Sequence, residues 1–296
     1  SSAASDVYKR QLTVGLNTTD ANWTGITNIQ LQYLSKLTDA EASAKAKEAL
    51  YAKLEEAGSM DTETNVGSEA FQIPETAIDA FDEVFNEANN IYNSSEKVDE
   101  IEAATKALEE AIQALKNPTL NAPKEGELFC IANISEGFGY KNNAVSPVYN
   151  EAKAEDGEYD LKWYHIVDAN YAQALKFTPV EGQKNQYTIS FIDEEGNTRY
   201  FSTQALAGYM DGGNVSTRHD RIRATKEAEK ALPFEISLAG EGVYKLKNTL
   251  HGSNIGSTSD DGFFTTNNLS DLSLVKAEKA NVPLSITAAG WCTLIL

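Results

Sequence analysis

The chain is poor in the residues that build disulfides and most metal centres. It contains two cysteines and three histidines among 296 residues. Cys130 and Cys292 lie in distant segments, and we expect both to be buried thiols. His165, His219 and His251 show no ligand spacing such as His-x-x-x-His, so we expect no metal site and no cofactor. The sequence also lacks a Gly-x-Ser-x-Gly elbow and a phosphate-binding loop, and we expect no active site within it.

Positive charge is the second deficit. The chain has 25 lysines and arginines against 44 aspartates and glutamates, which gives a formal net charge of −19. A nucleic-acid partner is therefore disfavoured, because neutralising phosphates requires clustered basic side chains. The same surplus of acid repels anionic lipid. No run of about 18 apolar residues is present, and we expect no membrane insertion.

Residues 1–11 differ in character from the rest of the sequence. They read Ser-Ser-Ala-Ala-Ser-Asp-Val-Tyr-Lys-Arg-Gln. This peptide resembles an in-frame translation of a transposase adapter that is used in shotgun sequencing libraries. We interpret it as adapter-derived and exclude it from fold reasoning. On this interpretation the native sequence begins inside a longer protein, and any upstream signal peptide or catalytic domain lies outside the chain.

Residues 12–35 alternate between apolar and polar side chains. The alternation predicts two strands, at 12–16 and 26–34, with turn residues between them. Two strands alone are at best marginally stable in water, so we expect them to complete a sheet that begins upstream. The segment resembles the closing strands of jelly-roll domains on surface proteins of gut Bacteroidota, which implies a truncated β-sandwich.

Residues 36–117 carry helix signals. Thr38 and Glu41 have the spacing of a capping box, in which each residue bonds the other's free backbone N–H. Gly58 is expected to end the first helix. Pro74 is expected in the first turn of the second helix, where its missing N–H has no cost.

Two apolar stripes at helical spacing predict the second and third helices. The first stripe consists of Ile78, Phe81, Phe85, Ala88 and Tyr92. The second stripe consists of Val98, Ile101, Thr105, Leu108, Ile112 and Leu115. Three helices can therefore close around one core, with the 19 acidic residues and 7 lysines of this segment on solvated faces. The stretch 98–115 resembles the three-helix FIVAR-type modules of secreted bacterial glycan-active proteins.

Residues 118–126 contain two prolines and predict a linker. After it the sequence repeats. Opening strands begin at Leu128, Tyr187 and Tyr244, which are 59 and 57 residues apart. Closing strands begin at Ala174, Ala231 and Leu272, and the first two of them share the motif Ala-Leu-x-Phe. Three copies of four short strands predict a β-trefoil over residues 127–280, although the third copy is shorter. The expected fold is a multidomain α and β chain, in which a three-helix bundle precedes an all-β domain.

Residues 281–296 fit poorly into the third copy. They resemble the opening strands of a further β domain that follows trefoil modules in the same bacterial proteins, and we interpret them as truncated. A second interpretation makes 283–286 the last strand of the repeat, because it echoes 233–236.

Each copy offers aromatic and planar polar side chains, which together suit sugar rings and hydroxyls. We expect them in the loops between strands. The candidate sugar-binding residues are Trp163, Tyr164, Tyr209, Asp211, Asp261, Phe263, Phe264 and Asn267. The pattern resembles ricin-type trefoil lectins, but their Gln-x-Trp signature is absent from all three copies. No sugar-contacting residue can therefore be carried over from that family.

Two functional hypotheses follow from these observations. In the first, the chain is a non-catalytic, glycan-binding part of a larger secreted or cell-surface bacterial protein. In the second, it is a structural spacer or adhesion segment that contacts other domains of the same polypeptide. Either is compatible with a glycan-degrading parent enzyme whose catalytic domain lies outside this chain.

Overall fold

A computed structural model describes residues 38–135, 143–149, 159–165, 174–193, 195–205, 220–249, 254–257, 263–266 and 271–277. Within these ranges three helices are followed by a curled antiparallel sheet. This confirms the prediction of helices followed by an all-β region. The predicted segments 1–11, 12–35 and 281–296 lie outside the described residues. None of the helices in the described ranges is long and apolar enough to cross a membrane.

Helix α1 spans Asp39–Gly58 and begins with the predicted capping box. The Thr38 backbone N–H donates to Glu41 Oε2 at 2.8 Å, and the Glu41 N–H donates to Thr38 Oγ1 at 3.2 Å. These bonds satisfy backbone donors that have no partner within the helix. Because the Thr38 N–H binds the charged carboxylate, it lowers the pKa of Glu41.

Helix α2 spans Glu75–Ser94. Pro74 lies one residue before it as the N-cap, not inside its first turn as predicted, so the helix begins one residue later than expected. Phe81 and Ala88 of the predicted stripe are buried in the bundle. The other three members of the stripe are partly buried against the same cluster.

Helix α3 spans Val98–Lys116. Ile101, Leu108, Ile112 and Leu115 are buried as predicted, but Ala104 takes the core position that was assigned to Thr105. Thr105 is half-buried, and its hydroxyl donates to the carbonyl oxygen of Ile101 at 2.8 Å. A core position suits the small apolar side chain, whereas the hydroxyl needs a partner at the edge of the seam.

The sheet contains twelve strands, and every pair between them is antiparallel. In chain order they are β1 Leu128–Asn133, β2 Asn143–Tyr149, β3 Tyr159–His165, β4 Lys176–Pro179, β5 Gln186–Ile192, β6 Thr198–Ala205, β7 Asp220–Thr225, β8 Pro233–Gly240, β9 Val243–Asn248, β10 Asn254–Ser257, β11 Phe263–Thr266 and β12 Leu272–Ala277. A short 3-10 helix, Ala228–Lys230, precedes β8.

Six of these strands pair in the order β1, β12, β9, β8, β5 and β4. Phe129 of β1 and Leu175, just before β4, then exchange two backbone hydrogen bonds of 2.8 Å. The ladder therefore returns to its first strand. The other six strands form three pairs, β2–β3, β6–β7 and β10–β11, and β7 also pairs with both β3 and β11.

The core of the sheet is formed by inward-facing residues of the paired strands. The repeated Ala-Leu-x-Phe motif supplies part of it, because Leu175, Phe177, Leu232 and Phe234 are all buried. The predicted opening strands lie within β1, β5 and β9. The predicted closing strands lie within or overlap β4, β8 and β12. The repeated motif thus marks residues whose side chains are buried in the core of the sheet.

Two connecting segments also enter this core. Phe71 and Ile73 belong to residues 59–74, which join α1 to α2 and are called the α1–α2 loop below. Leu120 belongs to residues 118–126, which we predicted as a linker. The segment does join the helices to the sheet, but its first residues are packed against the sheet.

Candidate functional site

Four of the predicted sugar-binding residues lie in strands, which corrects the expectation that they lie in loops. Trp163 and Tyr164 belong to β3, and Phe263 and Phe264 belong to β11. Aromatic residues favour a pleated sheet, which accounts for the difference. Both strands pair with β7, which also pairs with β6 along its whole length, so β3 and β11 share the edge of β7 opposite β6. The other predicted residues, Tyr209, Asp211, Asp261 and Asn267, lie outside the described residues.

A groove of about 420 Å³ lies on β4, β5 and β6. Its volume falls in the range of about 300–1,000 Å³ that is typical of small-molecule sites. Hydroxyl groups from all three strands line it. They belong to Thr178, Thr188, Ser190, Thr198 and Tyr200.

The register of the strands arranges these side chains in rows. Lys176 of β4 lies opposite Ser190 of β5, which lies opposite Tyr200 of β6. Directly opposed residues of antiparallel strands have Cβ atoms about 4.5–5.5 Å apart, so this row extends across roughly 10 Å. Thr178 and Thr188 form a second pair beside it. The groove therefore presents several hydroxyl groups at fixed spacing.

The sequence of β5 explains why these groups point away from the core. Tyr187, Ile189 and Phe191 are buried in the sheet core, while Thr188 and Ser190, which alternate with them, line the groove. Successive side chains of a strand point to opposite faces, so alternation of apolar and hydroxyl residues separates core from groove. We did not single out this segment from the sequence. The alternation around residues 186–192 was a usable signal, but it is equally typical of any half-buried strand.

A buried ion pair holds the turn between β5 and β6 at one end of the groove. Asp193 Oδ2 accepts from Arg199 Nε at 2.6 Å, and Asp193 Oδ1 accepts from the N–H groups of Glu195 and Asn197 at 3.0 and 2.7 Å. Burial alone raises the pKa of Asp193, but the hydrogen bonds from Asn197 and Arg199 outweigh it and lower the pKa. The carboxylate therefore stays charged and fixes the hairpin that carries Thr198 and Tyr200.

The groove combines one cation with an apolar edge. Lys176 is its charged lining residue, and no carboxylate of the described residues lines it, although the whole chain carries a charge of −19. Ile192 is 45% exposed, which is unusual among the large apolar residues of the described ranges. With the ring of Tyr200, it offers apolar contact beside the hydroxyl groups. Such a surface can bind a ligand that has both C–H faces and hydroxyls.

The cysteine of the described residues is not one of the lining residues of the groove. Cys130 on β1 is buried, as predicted, and burial raises the pKa of its thiol to about 11. Cys292 lies outside the described residues. Across the described ranges, no group of three or more histidine, cysteine, aspartate or glutamate side chains is arranged to hold a metal ion.

Comparison with known proteins assigns no family to the chain. No protein-family model matches it, and no curated protein matches it either. The functional argument therefore depends on the geometry of the groove and on the resemblances of the sequence.

Proposed function

We propose that the sheet is a β-trefoil. In that fold, six strands form a barrel and three two-stranded hairpins cover one end. The pairing of six strands in a ring and of the other six in three hairpins supports this assignment. The repeat of 57 to 59 residues in the sequence supports it independently.

A repeated polar residue at the strand ends also favours threefold symmetry. The first strand of each copy ends at a buried amide or carboxylate. Asn133 and Asn248 are the last residues of β1 and β9, and Asp193 directly follows β5. The side chains of Asn133 and Asp193 each accept a hydrogen bond of 3.0 Å from the N–H two residues later. The two turns thus begin with the same side-chain-to-backbone bond.

We further propose that this chain binds carbohydrate, without catalysis, in the groove on β4, β5 and β6. The observation that carries the proposal is the register row of Lys176, Ser190 and Tyr200, with threonine hydroxyls beside it. Hydroxyl groups can both donate to and accept from sugar hydroxyls. The Tyr200 ring and the exposed Ile192 suit the C–H face of a sugar.

Binding is favoured over glycoside hydrolysis by the chemistry of the lining. Most glycoside hydrolases use two carboxyl groups on either side of the scissile bond. Among the residues that the structure describes, those that line this groove supply hydroxyls, apolar groups and one ammonium. The proposed partner is a glycan, as a polysaccharide or on a glycoprotein. The resemblances to FIVAR-type and trefoil modules support a place within a larger secreted or cell-surface bacterial protein, beside other domains of the same polypeptide.

The test is a titration of the full chain with a panel of neutral and acidic oligosaccharides, followed by calorimetry. We expect Tyr200→Ala to weaken binding about tenfold, which corresponds to the loss of one aromatic contact. Thr188→Val keeps the size of the side chain and removes one hydroxyl, and we expect it to weaken binding by a smaller factor.

Two variants at distant positions are matched controls. Tyr51→Ala removes an exposed tyrosine from α1, and Ser237→Ala removes an exposed hydroxyl from β8. Neither is expected to change binding. Loss of binding in Trp163→Ala or Phe264→Ala, with Tyr200→Ala unchanged, would instead place the site at β3 and β11. Absence of binding to every glycan supports the spacer hypothesis.

A further inference from the structure

One aromatic residue of the helical segment lies inside the sheet core. Phe71, in the α1–α2 loop, is 1% exposed. Its ring makes edge-to-face contacts with four aromatic rings, at centroid distances from 4.9 to 6.2 Å. These rings, called the aromatic cluster below, belong to Phe129, Phe177, Tyr187 and Tyr244. They come from β1, β4, β5 and β9, so Phe71 contacts four of the six strands that form the ring.

The backbone at Phe71 is in a conformation that a bulky residue seldom adopts. Its φ is +65°, in the left-handed region that favours glycine and asparagine. Within the described residues, two other non-glycine residues have positive φ, Asn65 at +60° and Asn185 at +52°. All three lie where the helical segment meets the sheet. A strained conformation persists where the surrounding contacts determine it, so these contacts must be strong enough to hold the loop.

Asparagine side chains form hydrogen bonds between the helical segment and the sheet, one from each side. Asn65 Nδ2 donates to the Gly240 carbonyl at 2.8 Å, and its Oδ1 accepts from the Gly242 N–H at 2.7 Å. Asn185, just before β5, repeats the arrangement. Its Nδ2 donates to the Pro118 carbonyl at 2.8 Å, and its Oδ1 accepts from the Leu120 N–H at 2.9 Å.

The connecting segment after α3 is bonded to the same loop. The Phe71 N–H donates to the Asn121 carbonyl at 2.8 Å, and the Asn121 N–H donates to the Gln72 carbonyl at 2.8 Å. Asn121 Nδ2 also donates to the Gly67 carbonyl at 2.7 Å. Two segments that are distant in sequence thus form one layer against the sheet.

The apolar contacts are continuous as well. Ile78, in the first turns of α2, packs against both the core of the sheet and the core of the helical bundle. Ile73 and Leu120 are buried in the sheet core on either side of Phe71. The two cores are therefore in contact through Ile78, whereas few contacts cross the boundary between independent domains.

We propose that the three helices and the sheet unfold as one cooperative unit, with Phe71 as the residue that joins their cores. Removing the α1–α2 loop would expose the aromatic cluster to water, so the sheet needs the helical segment to complete its core. The proposal goes beyond carbohydrate binding and holds whether or not the groove has a ligand. It also implies that the helices hold a fixed orientation to the groove.

Native-state hydrogen exchange of the full chain, read by mass spectrometry in increasing urea, tests this proposal. The opening free energies of the slowest amides in α3, β5 and β9 are expected to converge to one value, that of a shared unfolding reaction, as urea is increased. Phe71→Ala is expected to speed exchange in all three elements by the same factor, roughly a hundredfold or more, as for loss of a buried phenylalanine. Leu108→Ala, in the core of the bundle, is likewise expected to speed exchange in β5 and β9 as well as in α3.

A second pair of variants, which leaves the buried core unchanged, tests the proposal if Phe71→Ala does not fold. Asn65→Gly removes both bonds to the β8–β9 turn but keeps the positive φ without strain, and we expect exchange in α3 and β9 to rise together, about tenfold. Its control is Asn93→Gly, since Asn93 Nδ2 donates to the Asn89 carbonyl within α2 itself. The proposal is overturned if Leu108→Ala affects the helices alone, or if Asn65→Gly or Phe71→Ala affects the strands alone.

Discussion

The helical bundle and the sheet are stabilised by contacts of different range. In the bundle, α1 begins with a capping box within four residues, and pairs such as Lys97–Glu100 lie three residues apart. In the sheet, the first strand, β1, pairs with the last, β12. The sheet core also contains Phe71 from the helical segment. Local signals therefore define the helices, whereas the sheet depends on residues that are far apart in sequence.

This difference has a consequence for how each region responds to change. Loss of a local contact at a helix end is expected to loosen one turn, because neighbouring turns keep their own hydrogen bonds. Loss of a buried contact in the sheet is expected to lower the stability of the whole structure. The three predictions below test that distinction.

The largest effect is expected from Asp193→Asn. The substitution removes the charge of the buried carboxylate that accepts from Arg199 Nε, and breaking a buried pair of this kind costs about 3 kcal/mol or more. We expect urea denaturation to show that loss in the free energy of unfolding of the whole chain. Asp271→Asn is the matched control, because the Lys245–Asp271 pair is partly exposed and is worth about 1 kcal/mol at most. Equal losses in the two variants would contradict the prediction.

A smaller and local effect is expected from Thr38→Ala. It removes the side-chain half of the capping box, which is worth about 1 kcal/mol. Hydrogen exchange should rise in the first turn of α1 and stay unchanged in the strands. Thr76→Ala is the control, because Thr76 is exposed inside α2 and caps no helix. An increase of exchange throughout the sheet would show that this local contact has a global effect.

The smallest effect is expected from Glu56→Gln, and the size of this effect depends on pH. Hydrogen bonds from Lys116 and Lys53 lower the pKa of Glu56 from 4.5 to about 2. Because the folded pKa lies below the unfolded one, the stabilisation is complete above pH 4.5 and is lost as the pH falls toward 2. The midpoint temperature of thermal unfolding of Glu56→Gln should therefore lie below that of the unmodified chain at pH 6 and match it near pH 2. Glu102→Gln, at an exposed position of α3, is the control.

Most of the helical region was predictable because its signals are local. The capping box, the stop at Gly58 and four core residues of α3 follow from spacing alone. Thr105 was placed in the core wrongly, since a heptad pattern cannot distinguish it from Ala104 one position away. The choice between them depends on where the neighbouring helices lie and on the partner of the hydroxyl.

The candidate site was much less predictable. The aromatic residues that the sequence suggested for sugar binding include Trp163 and Phe264, which lie in strands β3 and β11. The groove instead joins Lys176, Ser190 and Tyr200, which are ordinary strand residues until their strands are paired. Register between strands sets which side chains become neighbours, and register is a property of the folded sheet.

The sequence by itself determined the order of three helices and a repeated set of strands, because turn residues, caps and periodicity act over a few positions. Only the tertiary structure decided which residues complete the sheet core. Phe71 lies in a segment with no helical or strand periodicity, yet it is buried among four aromatic rings. Burial of that kind depends on the space that distant strands leave between them, and no local pattern encodes that space.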